Sequence, residues 1–185
     1  MSYYLFPQVV SKKDCKRLLK YALLESDFSS GVVLDNNSSR RNCSVSFLKS
    51  KNNILNEIMW GFVHYANNEM FKYNLEHFQS LQFSKYEKGN YYDWHRDAVM
   101  SGKEKIRKLS LSFSITDHNH YEGGNLEFFA GEDKKARDFS NDLSEKIRKV
   151  GTVIVFDSRE WHRVTPVTKG VRYSIVCWTV GPHFV

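Results

Sequence analysis

Three residues of this chain have the types and spacing to hold a metal ion. His95 and Asp97 stand two apart in Tyr92-Asp93-Trp94-His95-Arg96-Asp97. On an extended strand side chains alternate, so an imidazole and a carboxylate at i and i+2 share one face and Arg96 turns away. The first candidate for a second imidazole is His162, in Glu160-Trp161-His162-Arg163-Val164. Two imidazoles and one carboxylate on one face form a facial triad, which suits non-haem ferrous iron and leaves positions open for substrate and oxygen. His118 and His120 are a competing i, i+2 pair, but they sit in an Asp/Asn-rich turn, where histidines usually face water. His64 and His77 fall on or near a helix with no acid at ligand spacing, and His183 is at the chain end.

Arg172 and Ser174 are the next pair at i, i+2. Val176 and Trp178 share their face, and Tyr173, Ile175 and Cys177 take the other. An arginine in such an apolar strand calls for an anionic partner. A guanidinium fork beside a hydroxyl is a bidentate receptor for a carboxylate.

These side chains need a scaffold that returns to the same place. Tyr3 to Val10 reads as a lead-in strand. Ser11 then caps a helix with Asp14 in its first turn and Cys15, Leu18, Leu19, Ala22 and Leu23 on one face. A polar loop covers residues 29–39, and Arg40 to Leu48 alternates as a strand with Cys43, Val45 and Phe47 on one side. A second helix runs from about Asn52 to Phe71, with Ile54, Leu55, Ile58, Met59, Phe62, Val63 and Ala66 on its apolar face.

From residue 80 the pattern is β. Strands are expected at Leu81–Tyr86, Tyr91–Asp97, Arg107–Thr116, Asn125–Phe129, Val153–Phe156 and Arg172–Val180. In Arg107–Thr116, Leu109, Leu111, Phe113 and Ile115 alternate with Lys108, Ser110, Ser112 and Ser114. Polar loops cover Ala98–Lys105 and Gly131–Lys149, the latter an exposed excursion or a short helix. As flanks of the pocket mouth, both are expected to grip substrate. Many short strands with tight turns predict a jelly roll, that is, a double-stranded β-helix. The fold class is mainly β with flanking helices (α+β), in one domain over 1–185. Residues 1–79 form helical and strand support, and 80–185 the catalytic core.

Bulk properties agree with a folded domain. Hydrophobic residues make up 41% of the 185 and aromatics 15%, enough for a sizeable core. The net charge of +6 comes from basic residues interleaved with acids, which reads as a solvated surface rather than a nucleic-acid face. Three widely spaced cysteines, Cys15, Cys43 and Cys177, form no disulfide framework. The start, Met1-Ser2-Tyr3-Tyr4-Leu5-Phe6-Pro7, shows no signal peptide, and no stretch approaches the ~20 apolar residues of a membrane helix. A cytoplasmic location is expected.

Taken in order, these motifs resemble the Fe(II)- and 2-oxoglutarate-dependent dioxygenases of the prolyl 4-hydroxylase-like, PKHD-type branch. The resemblance runs from about Leu81 to Val180. It rests on Leu81-Gln82-Phe83-Ser84-Lys85-Tyr86, Gly89, Tyr92, His95-Arg96-Asp97, Arg107, Gly123-Gly124, Gly151-Thr152, His162, Arg172-Tyr173-Ser174 and Trp178.

The resemblance implies that His95, Asp97 and His162 bind iron. Arg172 would pair with the distal carboxylate of 2-oxoglutarate, helped by the Tyr86 hydroxyl and by Ser174. Trp178, Tyr92 and Arg107 would face the substrate. It also implies O2 as co-reactant, ascorbate as reductant, and hydroxylation of a peptidyl residue, proline first, with release of succinate and CO2.

Three alternatives are open. A 2-oxoglutarate oxygenase could act on nucleic acid, but such enzymes carry a second arginine six residues past the first, where this chain has Trp178. A free small molecule could be the substrate. A non-catalytic metal- or sugar-binding jelly-roll module would not need Arg172 and Ser174 behind the triad.

Overall fold

Alternation along β8 (Lys105–Ser114) organises the architecture. The computed structural model describes residues 2–30, 40–48, 54–100, 104–129 and 141–184. Leu109, Leu111 and Phe113 of β8 and the following Ile115 form one buried face. They meet Phe83, Val153, Val155, Ile175 and Cys177 from neighbouring strands. Helices α1 (Lys12–Leu24) and α2 (Ile54–Ala66) cover this face with Cys15, Ala22, Leu55, Met59, Val63 and Ala66. Burying each large apolar side chain contributes roughly 2 kcal/mol. The opposite face of β8 carries Ser110, Ser112 and Ser114, and it is buried as well. It faces the interior between two sheets.

The larger sheet runs β1 (Tyr3–Phe6), β11 (Val153–Asp157), β8, β14 (Arg172–Pro182), β6 (Gln82–Tyr86), β4 (Ser44–Phe47), β2 (Ser29–Ser30), with β5 (His77–Phe78) on the end of β14. The smaller sheet runs β10 (Leu126–Phe128), β12 (His162–Val164), β7 (Tyr91–His95), β3 (Arg41–Asn42). β9 (Tyr121–Gly123) and β13 (Val167–Gly170) form a separate pair. All the pairings are antiparallel. Between the sheets lies a second cluster that includes Cys43, Val45, Leu126, Phe128, Ile154, Phe156, Val164 and Val167. Two facing antiparallel sheets with helices outside the larger one make a jelly roll, as expected.

The helix caps follow the sequence. Ser11 accepts from the Asp14 amide at 3.1 Å and donates to its carboxylate at 2.6 Å. α2 runs on into a π-helical turn, Asn67–Phe71, which ends where Lys72 takes a left-handed φ of 57°. Residues 49–53, including the expected helix start, lie outside the described residues.

Several sequence expectations are corrected. Leu23 is 42% exposed because at ~100° per residue it stands about 80° round from Cys15, at the edge of the face. Ile54, 61% exposed, lies about 140° from Met59. The single strand expected at Arg40–Leu48 divides around Cys43, β3 serving one sheet and β4 the other. Phe47 runs past the interior cluster and is 59% exposed. His77 belongs to β5, paired with Val180, not to a helix end. The first 79 residues contribute strands to both sheets as well as two helices. No described helix is long and apolar enough to cross a membrane.

Candidate metal centre

β7 and β12 set the two histidines face to face. His95 pairs directly with His162, yet the next rung joins Tyr92 to Val164. β7 therefore carries one extra residue, a bulge, which breaks alternation. As a result Tyr92 and His95, three apart, both face the interior. Their rings stack at 3.5 Å between centroids with an 11° tilt. Asp97 follows just beyond the strand, held by its amide, which donates to the Ser158 carbonyl at 2.9 Å. Arg96 turns outward onto the Trp161 ring, 4.7 Å away, as the spacing required.

His95, Asp97 and His162 each offer a ligand atom within 4.8 Å of the others. His95 Nε2 is 3.7 Å from Asp97 Oδ1, and His162 Nε2 is 3.5 Å from Asp97 Oδ2. His95 Nδ1 lies 2.7 Å from the Asp93 carbonyl, and His162 Nδ1 lies 3.0 Å from the Glu160 carbonyl. A carbonyl only accepts, so each Nδ1 carries the proton and each Nε2 turns a lone pair to the centre.

The electrostatics favour ligation. Burial, and then the neighbouring His162, push the His95 pKa down to about 3, so the ring stays neutral. Burial opposes ionisation of Asp97, but the neighbouring His162 and His95 outweigh it and hold the acid below its ordinary range. The Trp178 indole nitrogen is buried and meets no hydrogen-bond geometry among the described residues. Two imidazoles and a carboxylate, all buried and without a thiolate, are a donor set that fits ferrous iron.

A pocket, partly open to solvent, lies behind the triad between the sheets. Arg172, Ser174, Val176 and Trp178 line it from one face of β14, as their alternation predicted. Arg172 is 3% exposed and donates from Nη1 to Ser174 Oγ at 3.1 Å. Directly across the ladder stands Tyr86, whose ring centroid is 5.3 Å from the guanidinium. Burial first, then Cys43, raise the Tyr86 pKa against the pull of Arg41 and Arg172, so its hydroxyl stays protonated and able to donate. Among the described residues no carboxylate forms an ion pair with Arg172.

The glycine pair has a packing reason. Gly124 has a φ of +61°, and a Cβ there would lie 3.0 Å from Arg172 Cδ and 2.9 Å from Val167 Cγ2. Its smallness lets the arginine stem pass.

Tyr92 and Trp178 line the cavity. Arg107 does not. It lies against Trp178, with its guanidinium 3.9 Å from the ring and its Nε donating to Gln79 Oε1 at 2.8 Å, close enough for its charge to act on Asp97 and Tyr92. The competing histidines His118 and His120 sit on a 3-10 turn away from the triad. Sequence reasoning passed over four residues close to the site. Gln82 and Ser112 line the cavity; the signal for Gln82 was available, since it shares the strand face of Tyr86, whereas nothing local to β8 marks Ser112. Arg41 also lines it, 4.6 Å from the Tyr92 centroid, with nothing local to mark it. Ser158, fully buried, follows β11.

Of the two loops, residues 101–103 and 130–140 lie outside the described residues. Part of the second is the helix α3 (Asn141–Arg148), not an exposed excursion. Its Leu143 and Ile147 pack into the interior.

Comparison with known proteins agrees with this geometry. Residues 81–180 match the family model described as the 2OG-Fe(II) oxygenase superfamily. A PKHD-type hydroxylase of Gloeothece citriformis is 38% identical over 100 residues, 54% of this chain and 41% of that protein. One from Synechococcus sp. strain CC9311 is 28% identical over 179 residues, 92% of this chain and 74% of that protein. The chain thus spans about two fifths of the length of the first curated relatives it matches.

In fold it is similar to a Pseudomonas putida prolyl-4-hydroxylase, with TM-score 0.71, 17% identity, and 96% and 91% of the two chains covered. It is also similar to a viral collagen prolyl hydroxylase from Paramecium Bursaria Chlorella virus-1, with TM-score 0.69, 18% identity, and 98% and 97% covered. The matched core holds the facing histidines, Asp97 and the buried Arg172, and the chain belongs to the 2OG-Fe(II) oxygenase superfamily.

Proposed function

We propose that the chain is an Fe(II)- and 2-oxoglutarate-dependent dioxygenase that hydroxylates a peptidyl residue, proline first. The observation that carries this reading is a buried arginine, Arg172, lining the same cavity as the His95–Asp97–His162 cluster. His95 Nε2, His162 Nε2 and an Asp97 oxygen would hold the iron. Bound there, iron supplies O2 activation, coupling decarboxylation of 2-oxoglutarate to succinate and CO2 with hydroxylation of a C–H bond.

The remaining work belongs to the protein. Arg172 pairs with the distal carboxylate, and the Ser174 and Tyr86 hydroxyls complete its receptor. Leu126, Phe156, Val164 and Val176 keep the cavity wall apolar and exclude water. Tyr92 and Trp178 form the wall nearest the metal ligands, and Arg107 packs its guanidinium on the Trp178 ring. A peptide substrate is supported by structural neighbours that are prolyl hydroxylases, one of them from Trichoplax adhaerens in complex with a peptide fragment.

The test is succinate release from 2-oxoglutarate with Fe(II) and ascorbate, with and without proline-containing peptides. Peptide-stimulated succinate and a peptide mass gain of one oxygen are expected. No binding of 2-oxoglutarate to metal-loaded protein, measured anaerobically by calorimetry, would overturn the reading.

A further inference from the structure

The Asp97 carboxylate is held from behind by two serines. Ser110 on β8 and Ser158 after β11 are both fully buried. Ser110 Oγ lies 2.8 Å from Asp97 Oδ2, and Ser158 Oγ lies 2.9 Å from Ser110 Oγ. A carboxylate only accepts, so the Ser110 proton points to Asp97 and the Ser158 proton follows it onto Ser110. Each hydroxyl in such a chain polarises the next. The carbonyl of Ser158 also accepts from the amides of Asp97 at 2.9 Å and Ala98 at 2.8 Å. Ser158 itself is fixed by its amide, which donates to the Lys108 carbonyl at 3.0 Å. One residue thus holds Asp97 by its backbone directly and by its side chain through Ser110.

We propose that Ser110 and Ser158 are positioning residues that make Asp97 a one-oxygen ligand. This rests on the metal reading above. A carboxylate can bind a cation through one oxygen or both. With two imidazoles, a two-oxygen carboxylate would close one of the positions that a facial triad leaves open. The Ser110 hydroxyl claims Oδ2, which lies 3.5 Å from His162 Nε2, and lowers its donor strength, leaving Oδ1, 3.7 Å from His95 Nε2, as the stronger donor.

Simple satisfaction of a buried hydroxyl does not account for this choice. Ser114, on the same face of β8, satisfies its own by donating to the Ile147 carbonyl at 2.7 Å. Ser110 instead meets the one carboxylate in the cluster.

The experiment uses full-length protein with Mn(II) and Co(II) as probes and compares Ser110→Ala, Ser110→Thr and Ser158→Ala. Free Mn(II) is measured by electron paramagnetic resonance, and coordination by the Co(II) d–d absorption. Ser110→Ala should weaken Mn(II) binding by about 10- to 100-fold and change the Co(II) spectrum. Ser110→Thr keeps the hydroxyl and should restore both. Ser158→Ala should fall between Ser110→Ala and wild type.

Wild-type affinity and an unchanged spectrum in Ser110→Ala would overturn the proposal. Should Ser110→Ala lose its cooperative melt, Ser158→Ala decides, and wild-type affinity there overturns it equally. A wild-type protein that takes up neither ion would overturn the metal centre itself, and this inference with it.

Discussion

Arg172→Met keeps most of the buried stem and removes the guanidinium. Arg172 is 3% exposed and bonded to Ser174, so the loss is local to the cavity. A carboxylate held by the fork gains two charge-assisted hydrogen bonds. At ~1.5 kcal/mol each, their removal weakens 2-oxoglutarate binding by about 3 kcal/mol, on the order of 100-fold. The assay is anaerobic calorimetry of 2-oxoglutarate into Mn(II)-loaded protein, with 2-oxobutyrate as the control that lacks the distal carboxylate.

The variant should lose its preference for the dicarboxylate and bind 2-oxobutyrate as wild type does. Its metal-free fold should be at least as stable as wild type, because a buried cation with no acid partner among the described residues has been removed. Two results would refute the reasoning. One is 2-oxoglutarate affinity within about threefold of wild type. The other is an equal loss for both oxoacids, which would mean that the cavity had collapsed.

Three further outcomes follow from the same geometry. His162→Ala should abolish tight Mn(II) uptake and turnover together while keeping a cooperative melt; retained turnover would remove His162 from the site. Gly124→Ala places a methyl against Arg172 Cδ at a positive φ, so it should lower thermal stability by roughly 1–3 kcal/mol and weaken 2-oxoglutarate binding. A wild-type melt in that variant would show that the arginine stem has room. Metal-free stability should fall with acid: His95 titrates near 3 in the fold against 6.5 unfolded, so between these values only the unfolded chain takes up its proton. The loss approaches about 1.4 kcal/mol per pH unit below 6.5, read from urea midpoints at pH 7, 6 and 5, and His95→Gln should flatten it.

The legible part of the molecule was what strict alternation encodes. The strand pattern around Leu109, the face shared by Arg172, Ser174, Val176 and Trp178, and the i, i+2 pair His95 and Asp97 are all local statements. His162 was legible from its place after the Val153–Phe156 strand and from the motif order that carries the family resemblance.

The illegible part depended on what lies across a gap. Nothing local to β8 says that its serine face is covered by a second sheet, so Ser110 and Ser112 read as ordinary polar positions. The bulge in β7 arises from pairing with β12, and strand alternation alone would have parted Tyr92 from His95. Arg41 sits on a two-residue strand, too short to carry a pattern. Leu23 and Ile54 were misplaced because an apolar residue at a helix-face edge looks like one at its centre.

The rung that joins His95 to His162 determines which parts of the chain can change in length. A one-residue slip of β12 along β7 would turn the imidazole out and bring Trp161 or Arg163 in. Lengthening the connections between the strands is far milder, since doubling a loop adds only about 0.6 kcal/mol of closure entropy. The centre is therefore coded by parity rather than by distance along the chain. Insertions can accumulate in the loops between Asp97 and the returning strand without disturbing it, while a single added residue within Tyr92–Asp97 or His162–Val164 would dismantle it.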